Sequence, residues 1–279
     1  KDYENYSNIS NNYDSNRRAY SMDIIIGNIL LLQKTNLKIL DVGCGTGNFL
    51  FELHKLLSQH KACQLIVEYY GIEPNKEMLE IAKNKFPILH THLGYGEDLS
   101  KYKTSYFDVL ICNQTLHHII DGDSNKYDRL NRCLQEMARV VKRDGVIIID
   151  DYTREQIMSI WFSHLIPETA NKMMKKAISL DLLIQSFKKT NMDDIRVIVD
   201  KTTILYNKEL YYKKDGPLYK QWRDTDSSWS LVTKPQLNKV ISDVGNMIKR
   251  GIMEEYIKKK DKIREKLGQT TFFIIRSSR

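Results

Sequence analysis

Long apolar runs are missing from this sequence, and none approaches the roughly 18 residues that a helix needs to cross a bilayer. The first residues also lack the basic and apolar regions of a secretory signal. We therefore expect a cytoplasmic protein without membrane contact. Because the chain begins with Lys1 rather than methionine, we expect the sequence to be trimmed, and a targeting segment before it stays an open alternative.

Cysteine is scarce, and its spacing is not that of a metal site. The four cysteines are Cys44, Cys63, Cys112 and Cys133. We expect reduced thiols in an intracellular protein and no bound metal. Repeats and low-complexity segments are also missing. A composition of 42% hydrophobic and 28% charged residues is that of an ordinary globular protein, and 279 residues allow one large domain or two small ones.

Basic residues outnumber acidic ones by 43 to 35, which gives a net charge of +8. Such an excess can indicate nucleic-acid binding. Here the lysines are spread thinly, and the densest run, residues 258–260, falls in a predicted solvated helix. Nucleic acid is therefore not the expected partner.

Short apolar, β-rich segments alternate with segments of helical periodicity over the first half of the chain. The predicted strands there are 38–42, 63–73, 88–94, 106–113 and 145–151. This alternation predicts βαβ units and a doubly wound parallel sheet with helices on both faces. Asn75 is the predicted N-cap of the helix after the second strand. Farther along, 153–190 favours helices, while 195–206 and 270–278 predict two more strands.

Three glycines, Gly43, Gly45 and Gly47, stand between the first predicted strand and its helix. Backbone N–H groups at such a position bind anionic or polar ligand groups, at the carboxyl ends of the strands. The spacing is one residue shorter than the dinucleotide fingerprint, and the lysine of a P-loop is missing. Glu73 ends the next strand, where a carboxylate can accept both hydroxyls of a ribose. The pattern indicates a nucleotide-like ligand.

An ordered set of motifs between residues 38 and 151 carries a family resemblance. The motifs are LDVGCGTGNF, GIEPNKEML, GEDLS, FDVLICNQTLHHI and VVKRDGVIIIDD. In this order they resemble the class I S-adenosylmethionine-dependent methyltransferases that act on small molecules. The resemblance implies an α/β, Rossmann-like, doubly wound seven-stranded sheet whose last strand is antiparallel, with an N-terminal lid and helical insertions.

The resemblance also implies how the chain is organised and which cofactor it uses. Residues 1–36 would form the N-terminal lid and a helix, and 37–152 the core that binds S-adenosylmethionine. Residues 153–279 would complete the sheet and insert substrate-pocket segments, all within a single domain. S-adenosylhomocysteine would be the product of the cofactor.

Residue by residue, the resemblance implies contacts along the cofactor. Asp41 and the loop 43–47 would hold its methionine and ribose portions, and Glu73 its ribose hydroxyls. A GDAEDLP-like segment borders the adenine in the family, but here it reads GYGEDLS, so Tyr95 replaces a common aspartate. The predicted cofactor-binding residues are Tyr13, Arg18, Asp41, Gly43, Cys44, Gly45, Thr46, Gly47, Glu73, Pro74, Met78, Gly96, Glu97, Asp98, Asn113 and Gln114.

The N-terminal stretch YDSNRRAY resembles the Y-D-x-x-R entry of a lid. Tyr13 could cover the sulfonium, whose positive charge favours an aromatic face. Arg17 or Arg18 could pair with the methionine carboxylate. The alternative is a surface of solvated tyrosines and arginines.

Two segments supply candidates for acceptor binding and proton transfer. His117 could act as a base because histidine titrates near neutral pH, or LHHI could simply begin a helix. The loop WRDTDSSW could box an amine or hold a hydroxyl, or it could be a turn anchored by its tryptophans. The predicted catalytic residues are His117, Asp224 and Asp226, and the predicted substrate-binding residues are Tyr6, Tyr20, His118, Tyr152, Trp161, Trp222, Arg223 and Trp229.

We therefore expect a methyltransferase that modifies an oxygen or nitrogen atom of a small molecule. One alternative is an RNA or protein methyltransferase. Against it, NQTL follows the fourth strand where adenine and glutamine N-methyltransferases keep N-P-P-Y or D-P-P-Y, and no double-E loop is recognised. A second alternative is a partner subunit that binds the cofactor without catalysis. The sequence leaves the oligomeric state open.

Overall fold

The computed structural model describes residues 21–59, 65–120, 126–203 and 207–278. Tyr6, Tyr13, Arg18 and Tyr20, which were predicted to contact cofactor or substrate, lie outside these residues. The chain divides into two compact units. The sheet unit contains the described residues up to Asp151, Ile178–Ile198 and 271–278, and the helical unit contains Tyr152–Ala177 and Val199–Thr270. The predicted three-part division stays a prediction.

Seven strands form one sheet in the order β3-β2-β1-β4-β5-β7-β6. Their bounds are β1 Asn36–Val42, β2 Ile66–Glu73, β3 Leu89–Leu93, β4 Phe107–Asn113, β5 Val141–Asp151, β6 Asp194–Asp200 and β7 Thr270–Arg276. The pairs β1–β2, β1–β4, β2–β3 and β4–β5 are parallel, and β7 pairs with β5 in the antiparallel sense. The predicted seven-stranded, doubly wound sheet with an antiparallel last strand is confirmed, whereas the predicted N-terminal lid lies outside the described residues.

Helices occupy most of the chain between and after the strands. In chain order they are α1 Met22–Leu30, α2 Asn48–Gln59, α3 Lys76–Lys85, α4 Leu116–Ile119, α5 Lys126–Val140, α6 Arg154–Ile157, α7 Pro167–Lys176, α8 Leu180–Phe187, α9 Lys208–Tyr211, α10 Lys220–Arg223, α11 Lys234–Lys249 and α12 Met253–Leu267. Short 3-10 turns cover Trp161–Leu165, Gly216–Leu218 and Ser227–Leu231. Across the described residues, no helix combines the length and apolar character needed to span a membrane.

Both faces of the sheet are buried, because successive side chains of a strand point to opposite faces. Ile39 of β1 belongs to a core with α1, α2 and α3, whereas its neighbour Leu40 belongs to a second core with α5 and α8. Val109 and Leu110 of β4 divide in the same way. This burial applies to the central strands, whose last residues are polar at Glu73, Asn113 and Asp151, where the candidate site forms. Most residues of the edge strand β6 are exposed.

The strand order reverses between β1 and β4. The chain runs outward from β1 through β2 to β3 and then returns to place β4 on the other side of β1. Connections leaving adjacent strands in opposite directions open a crevice at the carboxyl ends of the strands, and ligands of such sheets bind there. The loops after β1 and β4 border this crevice.

The helical unit has a core of its own, rich in aromatic side chains. Trp161, Phe162, Trp222 and Trp229 pack together there with apolar residues of α11 and α12. Trp161 and Trp222 have ring centroids 5.9 Å apart. Both tryptophans of the WRDTDSSW loop, Trp222 and Trp229, are therefore part of this core.

Candidate active site

The loop after β1 turns in a way that favours glycine. Gly43, Gly45 and Gly47 have φ values of 81°, 53° and 70°, in the left-handed region that other residues rarely adopt. The Gly43 nitrogen donates to the Ile72 carbonyl at 2.8 Å, which ties the loop to β2. A Cβ on Gly43 would lie 2.4 Å from the Thr115 side chain. Glycine thus allows both the turn and the close approach of the residue after β4.

Glu73 is fixed at the end of β2 by two backbone donors. Its Oε2 accepts from the Gly45 nitrogen at 3.0 Å, and its Oε1 from the Asn75 nitrogen at 2.9 Å. Burial raises the pKa of Glu73, although these two N–H groups act in the opposite direction. Because each carboxylate oxygen accepts up to two hydrogen bonds, Glu73 can take further donors from a ligand beside the loop.

Asp41 lies near the end of β1 with an unsatisfied carboxylate oxygen. The residue is 1% exposed, and its Oδ1 has no hydrogen-bond partner within the described part of the chain. Burial raises its pKa to about 8, and the charge of Glu73 adds to the effect. A buried acceptor without a donor costs stability, so this oxygen fits a ligand that carries a donor or a positive charge.

Cys44 and Thr46 are buried within the same loop. The Cys44 thiol packs against β2, because a Cβ on Gly71 would lie 2.6 Å from its Sγ. Burial raises the pKa of Cys44, which makes it an unreactive thiol. The Thr46 hydroxyl lies 3.5 Å from the Lys85 ammonium. Cofactor contacts by Cys44 and Thr46 stay predictions.

The segment before α3 brings one apolar side chain to the loop. Asn75 caps α3, as predicted, because its Oδ1 accepts from the Met78 nitrogen at 2.9 Å. Met78 is buried, and its Cε would lie 3.6 Å from a Cβ on Gly45. Pro74 is exposed. Of the two predicted adenine neighbours, Met78 is therefore the one in contact with the loop.

The segment after β3 approaches β1 through a glycine. A Cβ on Gly96 would lie 2.7 Å from a Val42 methyl group. Glu97 accepts from the Arg129 guanidinium at 2.7 Å, and exposed Asp98 accepts from the Ser100 nitrogen at 3.0 Å. Both carboxylates have structural partners, and their predicted adenine contacts stay untested.

The end of β4 is strained and linked to the end of β5. Gln114 follows the half-buried Asn113 and has a φ of 50°, in the left-handed region. Its nitrogen donates to the Asp150 carbonyl at 2.7 Å, and its side-chain amide donates to Asp150 Oδ2 at 3.1 Å. Such strain costs about 1–3 kcal/mol and concentrates at functional sites. These residues border the same crevice as the glycine loop.

His117 is held by a carboxylate from the neighbouring strand. Its Nδ1 lies 3.0 Å from Oδ1 of Asp151, the last residue of β5. Asp151 is 0% exposed and His117 is 9% exposed. The half-buried His118 ring lies with its centroid 4.0 Å from that of His117. The predicted base therefore lies at a strand end with an acidic partner.

Asp150 and Asp151 were not among the site residues predicted from the sequence. The signal that could have found them is the ending of the strand VIIIDD, where two carboxylates follow a continuous apolar run. At the carboxyl end of a central parallel strand, such a pair borders the crevice. Thr115, which packs against Gly43, carried no comparable signal.

In the helical unit, two predicted substrate residues make packing contacts. The Trp161 indole donates to the Tyr211 carbonyl at 2.8 Å, and the Trp222 indole donates to the Leu210 carbonyl at 2.7 Å. Tyr152 is also buried, within a small apolar cluster. Substrate contacts by these three residues stay predictions.

The charged residues of the tryptophan loop likewise have local partners. Asp224 pairs with Lys220 at 2.6 Å, and Arg223 donates to the Pro217 carbonyl at 2.8 Å. Asp226 accepts from the Ser228 nitrogen at 2.9 Å, which caps a 3-10 turn. The buried Trp229 indole nitrogen has no partner within the described residues. The loop is thus a structured turn, and a catalytic role for Asp224 or Asp226 stays a prediction.

Within the four described segments, no group of three or more histidine, cysteine, aspartate or glutamate side chains could hold a metal ion. A glycine loop after β1, a carboxylate ending β2 and this strand order define the class I S-adenosylmethionine-dependent methyltransferases.

A protein-family model described as "Methyltransferase domain" matches residues 33–215, which is more than half of the chain. The chain therefore belongs to this family, and the predicted class is confirmed. S-adenosylmethionine is the methyl donor of the family.

Curated relatives match only part of their length. The Ubiquinone/menaquinone biosynthesis C-methyltransferase UbiE of Campylobacter jejuni is 27% identical over 126 residues, which cover 45% of this chain and 49% of that protein. The chain thus spans about half the length of the curated relatives that it matches.

Solved structures share the fold over nearly all of the chain. A putative methyltransferase from an antibiotic biosynthesis pathway of Anabaena variabilis has a TM-score of 0.69 at 22% identity, covering 92% of this chain and 97% of its own. A phosphoethanolamine N-methyltransferase of Haemonchus contortus has a TM-score of 0.53 at 15% identity, covering 94% of this chain and 53% of its own. At these identities the likeness concerns the fold alone.

Proposed function

We propose that this protein transfers a methyl group from S-adenosylmethionine to an oxygen or nitrogen atom of a small-molecule acceptor. The observation that carries the proposal is the glycine loop, with Glu73 bonded to the Gly45 nitrogen and a buried Asp41 oxygen to which none of the described residues donates. A nucleoside that carries hydroxyl, amino and sulfonium groups supplies the donors and the positive charge that these carboxylates suit.

The residues present fit this cofactor. Asp41 and residues 43–47 would hold its methionine and ribose portions, Glu73 its ribose hydroxyls, and Met78 the adenine. Bound there, the sulfonium supplies an activated methyl group with a neutral thioether as leaving group. The task of the chain is then to position the acceptor and to exclude water.

The acceptor would bind above the ends of β4 and β5. Asn113 and Gln114 would face the reacting methyl group, and the Gln114–Asp150 hydrogen bonds would keep that edge rigid. Held this way, the acceptor atom loses little freedom in reaching the methyl group, and orientation of this kind lowers the barrier. The preformed edge would serve an oxygen or a nitrogen acceptor alike.

The names of similar proteins favour a small-molecule acceptor. These proteins include a C-methyltransferase of quinone biosynthesis and a putative methyltransferase of an antibiotic pathway, and both pathways involve small molecules. Among the described residues, Cys44, Cys112 and Cys133 are buried free thiols, which suits a reducing compartment such as the cytoplasm.

The test is methyl transfer from labelled S-adenosylmethionine into a metabolite extract, with parallel incubations on total RNA and total protein. We expect label in the small-molecule fraction, on oxygen or nitrogen of a product identified by mass, and less label with Glu73→Ala at a limiting concentration of S-adenosylmethionine. Label confined to RNA or protein would contradict the proposal, and so would a methylated carbon. Tight S-adenosylhomocysteine binding without transfer in any fraction would indicate a cofactor-binding partner subunit.

A further inference from the structure

Two residues that are distant in sequence meet at the end of the sheet through three close contacts. His117 Nδ1 lies 3.0 Å from Asp151 Oδ1 and 3.3 Å from Oδ2. The His117 backbone nitrogen also donates to Asp151 Oδ2, at 3.3 Å. One carboxylate therefore fixes both the ring and the start of α4.

These contacts determine which ring nitrogen carries the proton. An ionised carboxylate only accepts hydrogen bonds, so an Nδ1 that faces the ionised form of Asp151 is the donor. In the neutral ring, Nε2 is then the basic nitrogen. Asp151 thus selects the tautomer whose proton acceptor is Nε2.

The surroundings keep the pair in place. Asp151 ends β5, a strand with buried neighbours on both sides of it. The Gln114 nitrogen, three residues before His117, donates to the carbonyl of Asp150, the neighbour of Asp151. The Gln114–Asp150 hydrogen bond and the His117–Asp151 contact therefore both join the end of β4 to the end of β5. Neither His117 nor Asp151 can shift without disturbing the pairing of these two strands.

We propose that Asp151 is a positioning residue that holds His117 with its proton on Nδ1, so that Nε2 takes the proton of an acceptor hydroxyl during methyl transfer. This inference rests on the proposed function and narrows its acceptor to a hydroxyl compound. The acceptor oxygen forms the new bond to the methyl carbon with a lone pair, and the carbon–sulfur electron pair leaves with sulfur. The hydroxyl proton moves to Nε2, and the imidazolium is stabilised by Asp151 until the proton passes to water.

A hydroxyl acceptor benefits more from the His117–Asp151 pair than an amine acceptor does. Its proton becomes strongly acidic only as the new bond forms, so a base already in place lowers the barrier. A deprotonated amine attacks with its own lone pair and needs no base for that step. His117 rather than His118 carries the inference, because the ring nitrogen bonded to Asp151 belongs to His117.

The first measurement uses the full-length protein without acceptor. Long-range ¹H–¹⁵N NMR of the imidazole reports the tautomer of His117, and loss of its signals in His117→Gln assigns them. We expect the Nδ1–H tautomer in the wild type. In Asp151→Asn the amide can donate to Nδ1, so we expect the Nε2–H tautomer or a mixture. Asp108→Asn is the matched control, because Asp108 is equally buried but lies at the opposite end of β4.

The second measurement follows label from S-adenosylmethionine into the metabolite extract. We expect Asp151→Asn to lower kcat by about 10- to 1,000-fold and His117→Gln by about 100-fold or more, the scale of a lost general base. S-adenosylhomocysteine affinity should stay within about twofold, since neither residue is placed on the cofactor, and the product should carry an O-methyl group.

A wild-type His117 that is mainly the Nε2–H tautomer would overturn the inference, as would an unchanged kcat in both variants. An N-methylated product would refute the hydroxyl class. If the wild type transfers no label at all, the proposed function is contradicted instead. The tautomer measurement then shows by itself whether Asp151 holds the proton of His117 on Nδ1.

Discussion

The Gly45 backbone nitrogen donates to Glu73 Oε2 at 3.0 Å, which joins the glycine loop directly to the end of β2. The hydrogen bond places a buried carboxylate beside the only segment of the sheet unit with three left-handed glycines among its described residues. Loop and carboxylate therefore form one preorganised feature, and each can be tested separately.

Replacing Glu73 by alanine should weaken cofactor binding. The variant removes an acceptor for the ribose hydroxyls, and a lost hydrogen bond to a charged group costs about 1–3 kcal/mol. Calorimetry with S-adenosylhomocysteine measures the change. Glu68→Ala is the matched control, because Glu68 lies on the same strand but its carboxylate pairs with Lys38 at an exposed position. Equal affinities for both variants would contradict the assignment of Glu73.

Replacing Gly43 by alanine should destabilise the protein. The new Cβ would lie 2.4 Å from the Thr115 side chain, at a φ of 81°. Backbone strain of this kind costs about 1–3 kcal/mol, and the steric overlap adds to it. Urea unfolding measures the loss.

Gly27→Ala in α1 is the control for Gly43→Ala. Nothing lies within 4 Å of a Cβ at Gly27, and alanine in a helix is favoured by roughly 0.5–1 kcal/mol over glycine. We expect this variant to be slightly more stable than the wild type. Similar unfolding free energies for the two variants would show that the Gly43 turn is not constrained.

Most of the fold was predictable because short apolar, β-rich runs that alternate with segments of helical periodicity leave a strong local pattern. The predicted and observed strands differ at their ends, because the bounds of a strand depend on contacts with residues that the local pattern does not show. β5 begins at Val141 rather than at 145, because Val141 pairs with Phe107 across an irregularity in the register. β6 ends at Asp200 rather than at 206, where Asp200 accepts from the Thr202 nitrogen at 2.8 Å and turns the chain.

The cofactor half of the site was predictable from its motifs, whereas the acceptor half was not. Glycines between a strand and a helix have one main physical explanation, so residues 43–47 and Glu73 could be singled out. His117 was a candidate base, but its partner Asp151 is 34 residues away and meets it only through the pairing of β4 with β5. The tryptophan loop was conspicuous in composition, yet its charged groups bond to residues close by in the chain, namely Lys220, Pro217 and Ser228.

Asp41 should make the stability of the protein depend on pH. Burial raises its pKa to about 8, whereas an unfolded aspartate titrates near 3.9. Between about pH 4 and pH 8 the folded protein keeps a proton that the unfolded chain has released, so the free energy of unfolding falls as pH rises through this window. Asp41→Asn lacks this effect. We expect the variant to match the wild type near pH 5 and to exceed it at pH 9 by about 4 kcal/mol in urea unfolding, since each of the roughly three pH units between pH 5 and the folded pKa costs the wild type about 1.4 kcal/mol.

Asp108→Asn tests the opposite case, a buried aspartate whose pKa is lowered in the folded protein. Although burial acts against it, hydrogen bonds from Lys34 and Lys142 lower the pKa of Asp108. Its charge therefore stabilises the fold above the unfolded value of about 3.9, and the substitution should destabilise at both pH 5 and pH 9. If the difference between Asp41→Asn and the wild type is the same at both pH values, Asp41 has no raised pKa.

The two carboxylates of the tryptophan loop should differ in their effect on stability. Asp226 caps a 3-10 turn through the Ser228 nitrogen, and loss of such a cap costs about 0.5–2 kcal/mol. Asp224 makes an exposed pair with Lys220, worth at most about 1 kcal/mol. We expect Asp226→Ala to lower the unfolding free energy clearly, since it removes the Oδ1 acceptor, and Asp224→Ala to lower it little, which makes Asp224→Ala the matched control. The catalytic role predicted from the sequence requires more than this: turnover in the labelled-extract assay must fall in either variant while S-adenosylhomocysteine affinity holds. Normal turnover in both variants would leave the loop a purely structural role.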